Sequence, residues 1–594
     1  MICINQKVGI MLLNKVLISG YRNFKNAVIT LNAKSLIIGP NDIGKSNFLR
    51  AIRLLLDRNL SDAEIEPNDA DFYAFEDTHK IEITLYFIEA TEDCIKSRFK
   101  ENISNDDELI IQYQATRDPL NGQKTYQIYV GPTKDNLKSC ESRFYLKVLN
   151  LHYIGSNRDL NAFIKKEKKY LLGIARENRT NDEIDQDNAS LKSIEATLKD
   201  AGGAIAGLHF VSKATDSLNI ELSSLSSLNE DYNLCFDTGA SDIRQYIDNL
   251  SLASSHQGNP VALGGDGKYN QVYLAIWSAQ RKVLQHDPTQ VSINCIEEPE
   301  AHLHPHQQRK LSQYLSNQLQ GQVLLTSHSP HIACEFEHNS IISLSRNQNG
   351  SYAASNGCSD IIENSLHNFG HRLNVIPAEG FFSAIVFLVE GVSEVLFYKA
   401  LAKKLEIDLD KYNVSIIPVE GIGFETFIEV YKSLGVRFIV KTDFDICKVP
   451  KHTHYRAAGL QRGLKILTKY NQALDSNVEI LIKTLGDSHK NLPEKKISKP
   501  LKAIIADLRN SLKQYGIFFS DSDLETDLAQ SALKSNLMKW YDVSDKRNLV
   551  KLMKESKGVH MFQYLKENYD SLIALKNSTI AEPLKKCIEW ASKK

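Results

Sequence analysis

Apolar positions along this chain fall first into short runs, then into helical spacing, and the two modes alternate to the C-terminus. Leu12–Leu17 and Leu36–Ile38 are brief runs of β character, and the second leads straight into a glycine-rich turn. Phe48–Leu56 follows as a predicted helix, and Ile81–Phe87 and Ile110–Tyr113 predict strands of an antiparallel accessory sheet. From Asn157 to Leu250 the pattern becomes polar and helix-compatible, including Lys165–Lys169 and Ser190–Lys199, which predicts a helical insertion. Beyond it, Gln271–Leu284 is predicted helical, Ser292–Ile296 a strand, His306–Leu319 a helix and Gln322–Thr326 a strand, the alternation of an α/β fold. Arg346–Gly357, rich in Asn, Ser and Gly, predicts a loop. A second α/β unit is expected from the strands Ile385–Val389, Val414–Pro418 and Arg437–Thr442, with mostly helical sequence from Leu460 onward.

A chain of 594 residues exceeds a single hydrophobic core. The pattern changes divide it into 1–156, 157–250, 251–378 and 379–594. The apolar stretch Phe381–Val389 is far shorter than the roughly 20 residues of a membrane-spanning helix. A soluble protein with no membrane partner is expected. No basic segment with a following apolar run and cleavage site opens the chain, Met11 offers an alternative start, and nine Cys include no C-x-x-C pair. These features predict a cytoplasmic protein. Net charge is −1, but Lys448–Lys513 holds 14 Lys+Arg and 5 Asp+Glu, so 14 − 5 = +9, a candidate face for nucleic acid or else a set of solvated helical faces.

Gly39-Pro40-Asn41-Asp42-Ile43-Gly44-Lys45-Ser46 matches G-x-x-x-x-G-K-S between a predicted strand and a predicted helix. Backbone N–H groups of such a loop, Asn41 and Gly44 included, close around phosphate because glycine leaves them unobstructed, and the helix N-terminus adds a favourable dipole. Lys45 is expected to reach the β- and γ-phosphates of ATP and Ser46 to ligate Mg²⁺. Ser292–Ile296 runs into Glu297-Glu298-Pro299-Glu300, where a Walker B strand delivers carboxylates. Glu297 is expected to hold Mg²⁺ through water and Glu298 to polarise the attacking water, although many ATPases carry Asp at the first position. His302, His304 and His306 alternate but lack further His or Cys to complete a tetrahedral shell. His328, at the end of Leu324–Thr326, is either a γ-phosphate sensor or a satisfied loop histidine. Gly264 and Gly265, in Leu263–Lys268, occupy the place of the glycine turn that approaches the nucleotide of an opposite subunit. Together these segments resemble the ATPase half of SMC and RecF-like proteins. The separation 297 − 45 = 252 implies an inserted module, in agreement with the helical segment.

Downstream, Phe387-Leu388-Val389-Glu390-Gly391 and Val440-Lys441-Thr442-Asp443-Phe444-Asp445 are apolar strands ending in acids. Adjacent parallel strands would gather Glu390, Asp443 and Asp445, with both acids of D-x-D on one side. Converging carboxylates repel one another unless a hard cation sits between them, which points to two Mg²⁺ or Mn²⁺ ions and phosphodiester hydrolysis. For each acid the bland alternative is a solvated loop carboxylate.

This arrangement resembles the Toprim fold, and joined to the ATPase it resembles the OLD (overcoming lysogenization defect) family of ATP-dependent nucleases, which includes the Gabija nuclease subunit and some retron effectors. The resemblance implies an α/β architecture: an ABC-type ATPase interrupted by a helical insertion, then a Toprim domain with helical additions. It also implies homodimerisation, a DNA substrate, antiphage defence, and a helicase-like or reverse-transcriptase partner. By residue it implies that Glu390, Glu394, Asp443, Asp445 and Glu525 are metal ligands and that Lys557 neutralises transition-state charge. Asp523 and Asp527 compete with Glu525, and Lys554 with Lys557. The family often places Arg before the first Toprim strand, where this chain has Phe382-Ser383-Ala384. A non-catalytic ATP-dependent DNA clamp is the competing reading. Strand passage is disfavoured because none of the 24 Tyr stands out by motif as a nucleophile.

Overall fold

A computed structural model describes residues 11–156, most of 168–225, short stretches between 234 and 277, 288–358 apart from 320, and 375–592 apart from 421–422, 472 and 556. The chain divides into two compact units, Met1–Gly155 with Pro288–Glu300 and Pro305–Lys594, and Ser156–Asp287 with Ala301–His304.

Among the described residues of the first unit, twelve strands form one sheet in the order Lys138–Ser139, Lys124–Gly131, Leu109–Arg117, Lys80–Ile88, Leu12–Tyr21, Phe24–Thr30, Gly350–Ala353, Ile341–Asn347, Lys34–Ile38, Val323–Thr326, Val291–Glu297, Leu149–Ile154. The antiparallel strands expected as an accessory sheet are therefore continuous with the parallel core. The seam is Ile341–Asn347, which pairs parallel with Leu36–Ile38 through Ile341–Ser343 and antiparallel with Gly350–Ala353 through Leu344–Asn347. The helix Lys45–Leu56 covers this sheet with a face that includes Phe48, Leu49, Ile52 and Leu55, all fully buried.

Two expectations fail here for identifiable reasons. Arg346–Gly357 is not a loop throughout: Gln348 and Asn349 make a two-residue turn, and Gly350–Ala353 is a strand. Its polar composition signalled the turn and concealed the strand, which opens on a glycine in close approach: a Cβ on Gly350 would lie 2.7 Å from the Asn23 carbonyl oxygen. The helix expected over His306–Leu319 is α-helical only over Pro305–Gln313 and passes into a π-helical turn, Tyr314–Gln318, before Leu319 leaves it in extended conformation.

The second half of this unit holds a four-stranded parallel sheet in the order Val414–Pro418, Ile385–Val389, Arg437–Thr442, Ile517–Phe519. Ile385, Val386, Phe387, Leu388 and Val389 are all fully buried, as a strand covered on both faces requires. Ile517–Phe519 lies within sequence expected to be mostly helical; three residues show no period, and pairing with Val440–Thr442 is what makes them a strand. The basic stretch likewise opens with a hairpin, Ile446–Lys448 against Tyr455–Ala457, before the helices Ala458–Tyr470, Ser476–Leu485 and Lys499–Leu512. Late helices, among them Lys557–Asn568 and Glu582–Ser592, close the core through Met561, Tyr564, Leu584 and Cys587. The two sheets are linked where Ser355 Oγ donates to the Ser433 carbonyl at 2.7 Å.

In the second unit, the described part of the expected insertion forms the helices Asn181–Ala206 and His209–Leu225. Thr180 and Glu183 make a capping box at the start of the first. Most of Gln271–Leu284 lies outside the described residues, with Val272 and Ala275–Trp277 helical. No helix among the described residues is long and apolar enough to cross a membrane.

The helix Ala458–Tyr470 approaches the sheet through glycine: a Cβ on Gly459 would lie 2.1 Å from the Asp443 carbonyl oxygen and one on Gly463 2.3 Å from the Phe519 ring. Gly459→Ala is expected to lower stability by about 1–3 kcal/mol in denaturant melts, the usual cost of overpacking. Gly558→Ala, whose added Cβ meets nothing within 4 Å, is expected to cause no such loss.

Candidate functional site

Two clusters of chemistry lie beyond the carboxyl ends of parallel strands, where α/β sheets place their sites. At the first, Lys34–Ile38 delivers Gly39–Ser46. Gly44 has φ 107 and caps the helix Lys45–Leu56, and a Cβ there would lie 2.0 Å from Asn23 Nδ2. The positive φ already calls for glycine, and the close side chain of Asn23, which sequence reasoning passed over, adds to it. Asn23 Nδ2 donates to the Ile43 carbonyl and to Ser351 Oγ, and its Oδ1 accepts from Asn47 Nδ2 at 2.7 Å. Arg22 donates to Asn47 Oδ1 and Asp71 Oδ1, both at 2.9 Å. The available signal was a polar pair in the turn between the first two strands, where Arg22 has φ 49.

Lys45 Nζ donates to the Gly39 and Pro40 carbonyls at 3.0 and 2.9 Å. Burial pulls its pKa down to about 8, against the pull of Glu298, Asp42, Glu297 and Glu300. Asn41 and Ser46 are exposed. Val291–Glu297 and Val323–Thr326 are parallel neighbours with Glu297 opposite Thr326, so the predicted acids and His328 emerge side by side. Glu297 is buried, Glu298 has φ 43, and Glu298 Oε1 lies 3.6 Å from His328 Nε2. Burial and the Lys45 charge lower the His328 pKa. Glu300, not singled out from sequence, secures this turn: its Oε1 accepts from Ser327 Oγ at 2.7 Å and from the His328 N–H at 2.8 Å. Gly264 and Gly265 lie outside the described residues.

At the second cluster, Ile385–Val389 and Arg437–Thr442 are neighbours, and Glu390 Oε1 accepts from Thr442 Oγ1 at 2.8 Å and the Asp443 N–H at 3.2 Å. Strand Arg437–Thr442 ends before D-x-D, so strand alternation does not set the two acids. Loop bonds do: Phe444 N–H donates to the Ser522 carbonyl at 2.9 Å, and the Asp445 carbonyl accepts from the Ala458 N–H at 2.7 Å. Glu394, in the first turn of the helix Val392–Lys404, accepts from the Gly391 N–H at 2.9 Å. Fourth-strand residues lead to the helix Leu524–Gln530, capped by Asp523 and carrying Glu525.

Cations interleave these acids. Arg462 donates to Glu390 Oε1 and lies 3.5 Å from Asp445 Oδ2. Lys554 pairs with Asp523, Lys557 lies 3.1 Å from buried Glu525, and buried Lys441 lies 3.0 Å from Asp527. Each late rival acid thus has its own partner, and Asp527 is committed to the strand lysine. Arg462 was unassigned from sequence; its signal was its place in the helix following D-x-D. Part of the basic stretch is spent on acids outside it, with Lys465 and Lys469 on Glu425 and Glu429 and Arg509 on Asp521.

Glu394 Oε1 and Asp443 Oδ1 are buried and lack a hydrogen-bond partner among the described residues. Burial, opposed by the Gly391 N–H and Lys441, raises the Glu394 pKa to about 7. Burial with the charges of Glu394, Glu390, Asp445 and Asp523 raises Asp443 to about 8. The donor set fits a hard divalent cation: all oxygen, like-charged, and with two oxygens lacking any other partner. As oriented, no three Asp, Glu, His or Cys side chains among the described residues converge in ligating geometry.

A profile of the AAA ATPase domain matches residues 11–333, more than half of the chain. The chain belongs to that family. A profile described as overcoming lysogenization defect protein-like, TOPRIM domain, matches residues 381–445. Endonuclease GajA of Bacillus cereus is 26% identical over 556 residues, spanning 90% of this chain and 92% of its own length. OLD nuclease of Thermus scotoductus is 24% identical over 463 residues, spanning 73% of this chain and 82% of its own. The chain is homologous to both, and it couples an AAA-type ATPase to an OLD-like TOPRIM domain. A solved C-terminal region of the Burkholderia pseudomallei OLD protein aligns with 36% of this chain and 98% of its own, at 19% identity and a TM-score of 0.22.

Glu394 and Asp443 hold protons more tightly folded than unfolded, so their contribution to stability is complete below about pH 4 and disappears as pH rises through about 7 and 8. Thermal melts of metal-free protein are expected to show this loss, and Asp443→Asn to reduce its slope. A slope unchanged in Asp443→Asn would remove Asp443 as its source.

Proposed function

We propose that this protein is an ATP-binding, divalent-metal-dependent endonuclease that hydrolyses DNA phosphodiester bonds at the TOPRIM cluster under control of the ATPase, in antiphage defence. The observation that carries the reading is the emergence of Glu390 and Asp443 from adjacent parallel strands, with the charges of Glu394 and Asp445 acting on Asp443 and two buried oxygens lacking partners among the described residues. The names of the two homologous nucleases support it.

In this reading Glu390, Glu394, Asp443, Asp445 and Glu525 hold two Mg²⁺ or Mn²⁺ ions, which when bound activate water and stabilise the leaving oxygen. Lys557 neutralises charge on the transferring phosphate. At the ATPase, Asn41, Gly44 and Lys45 cradle the phosphates, Ser46 and Glu297 hold Mg²⁺, Glu298 orients the hydrolytic water, and His328 responds to the γ-phosphate. Gly264 and Gly265 would complete the nucleotide site of a second copy, with 157–250 as the dimerisation insertion between ATPase segments 1–156 and 251–378, and 379–594 as the cutter. A helicase-like protein, or a reverse transcriptase with its noncoding RNA, is the partner class. Gating draws on a continuous connection: Asn23 joins the phosphate loop to Ser351, whose strand leads to Ser355, which bonds Ser433 ahead of the strand that precedes Asp443.

Lys45→Ala is expected to abolish ATP hydrolysis and retain Mn²⁺ binding. Glu390→Ala should lower plasmid nicking by roughly 10²-fold or more, the scale of losing one electrostatic stabiliser, and spare ATP hydrolysis. Plasmid assays with Mg²⁺ or Mn²⁺, with and without ATP, check both; ATP turnover with no nicking under either metal would favour a non-catalytic clamp.

A further inference from the structure

Arg462 stands in the middle of the acidic cluster because its helix can approach the sheet at all. Gly459 and Gly463 flank it, at the two positions where an added Cβ would strike the Asp443 carbonyl and the Phe519 ring. From there Nη1 donates to Glu390 Oε1 and Thr442 Oγ1, Nη2 lies 3.5 Å from Asp445 Oδ2, and the guanidinium carbon is 5.8 Å from the centre of the Phe424 ring. The side chain is 28% exposed, so it borders the cluster and solvent together. Two of the acids are therefore turned toward a cation of the chain itself, while Glu394 and Asp443 each keep a buried oxygen without a partner among the described residues.

We propose that Arg462 is an exchangeable counter-ion, which holds Glu390 and Asp445 until a divalent ion takes their oxygens and which then binds a nonbridging oxygen of the DNA backbone. A guanidinium and a divalent ion compete for the Glu390 Oε1 and Asp445 Oδ2 lone pairs that Arg462 now faces, and two cations held that close repel each other. Displacement frees a planar fork of donors beside the cluster, and phosphate is the anion whose geometry matches that fork. The lysines are disposed differently: Lys554 and Lys557 pair with Asp523 and Glu525, on the far strand's helix.

The inference rests on the metal reading above, and one titration separates the two. Full-length parent, Arg462→Gln and Arg462→Lys are titrated calorimetrically with MnCl₂, without ATP or DNA, after thermal melts establish that each is folded. Arg462→Gln is expected to bind its first Mn²⁺ about tenfold more tightly, the scale of removing one adjacent competing charge, with Arg462→Lys between it and the parent. At saturating Mn²⁺, plasmid nicking by Arg462→Gln should fall by about tenfold or more. Equal or weaker Mn²⁺ binding by folded Arg462→Gln overturns the counter-ion role. If Arg462→Gln does not fold, Arg462→Lys binding no tighter than the parent overturns it equally. Tighter binding with parental nicking overturns the phosphate role. Failure of the parent to bind Mn²⁺ would instead overturn the metal reading.

Discussion

Like charge forced together at the carboxyl edge of a small parallel sheet is the constraint around which the second half of this protein is organised. Two carboxylates about 4 Å apart near a protein surface repel by about 4 kcal/mol, so their convergence needs a scaffold that costs more to break than the repulsion returns. Ile385–Val389 provides it: burying each of these five side chains contributes about 1.5–3 kcal/mol. Glu390 and Asp443 sit one residue beyond such strands, and hydrogen bonds of the following loop hold Phe444 and Asp445 in place. What remains is compensation, by Arg462, Lys554 and Lys557 for some oxygens and by elevated proton affinity at Glu394 and Asp443 for others.

The nucleotide end obeys a related rule with opposite sign. There a buried lysine is kept close to Glu297, Glu298 and Glu300, and its proton is loosened by burial rather than tightened. The loop that presents Lys45 has its shape imposed from behind by Asn23, which also holds Ser351 of the neighbouring strand. That strand belongs to the hairpin whose far end bonds the TOPRIM domain through Ser355. The glycine loop and the acidic edge, on separate sheets, are thus connected through few side chains.

Legibility in the sequence tracked how local each determinant was. Gly39–Ser46, the strand of Glu297 and Glu298, and the strands ending at Glu390 and Asp443 were readable because a buried strand is a run of apolar residues and its chemistry follows at once. The strand Gly350–Ala353 and the strand Ile517–Phe519 were not, since the first, Gly-Ser-Tyr-Ala, lies in an Asn-, Ser- and Gly-rich stretch without an apolar run and the second is too short to show a period. Asn23, Glu300 and Arg462 escaped notice because each acts on residues distant along the chain, Glu300 even from within the acidic run after its strand.

By itself the sequence determined the types of the apolar or periodic elements, the order of the two α/β units, and which residue kinds stand at strand ends, because these depend on side-chain period and on neighbours a few positions away. Tertiary structure alone decided which cation faces which acid, that Asp527 belongs to Lys441 and not to the cluster, and that glycine at 459 and 463 answers to Asp443 and Phe519. Those outcomes depend on distances across strands and helices joined only by folding, and electrostatic and steric energies change over a few ångströms that no spacing in the chain encodes.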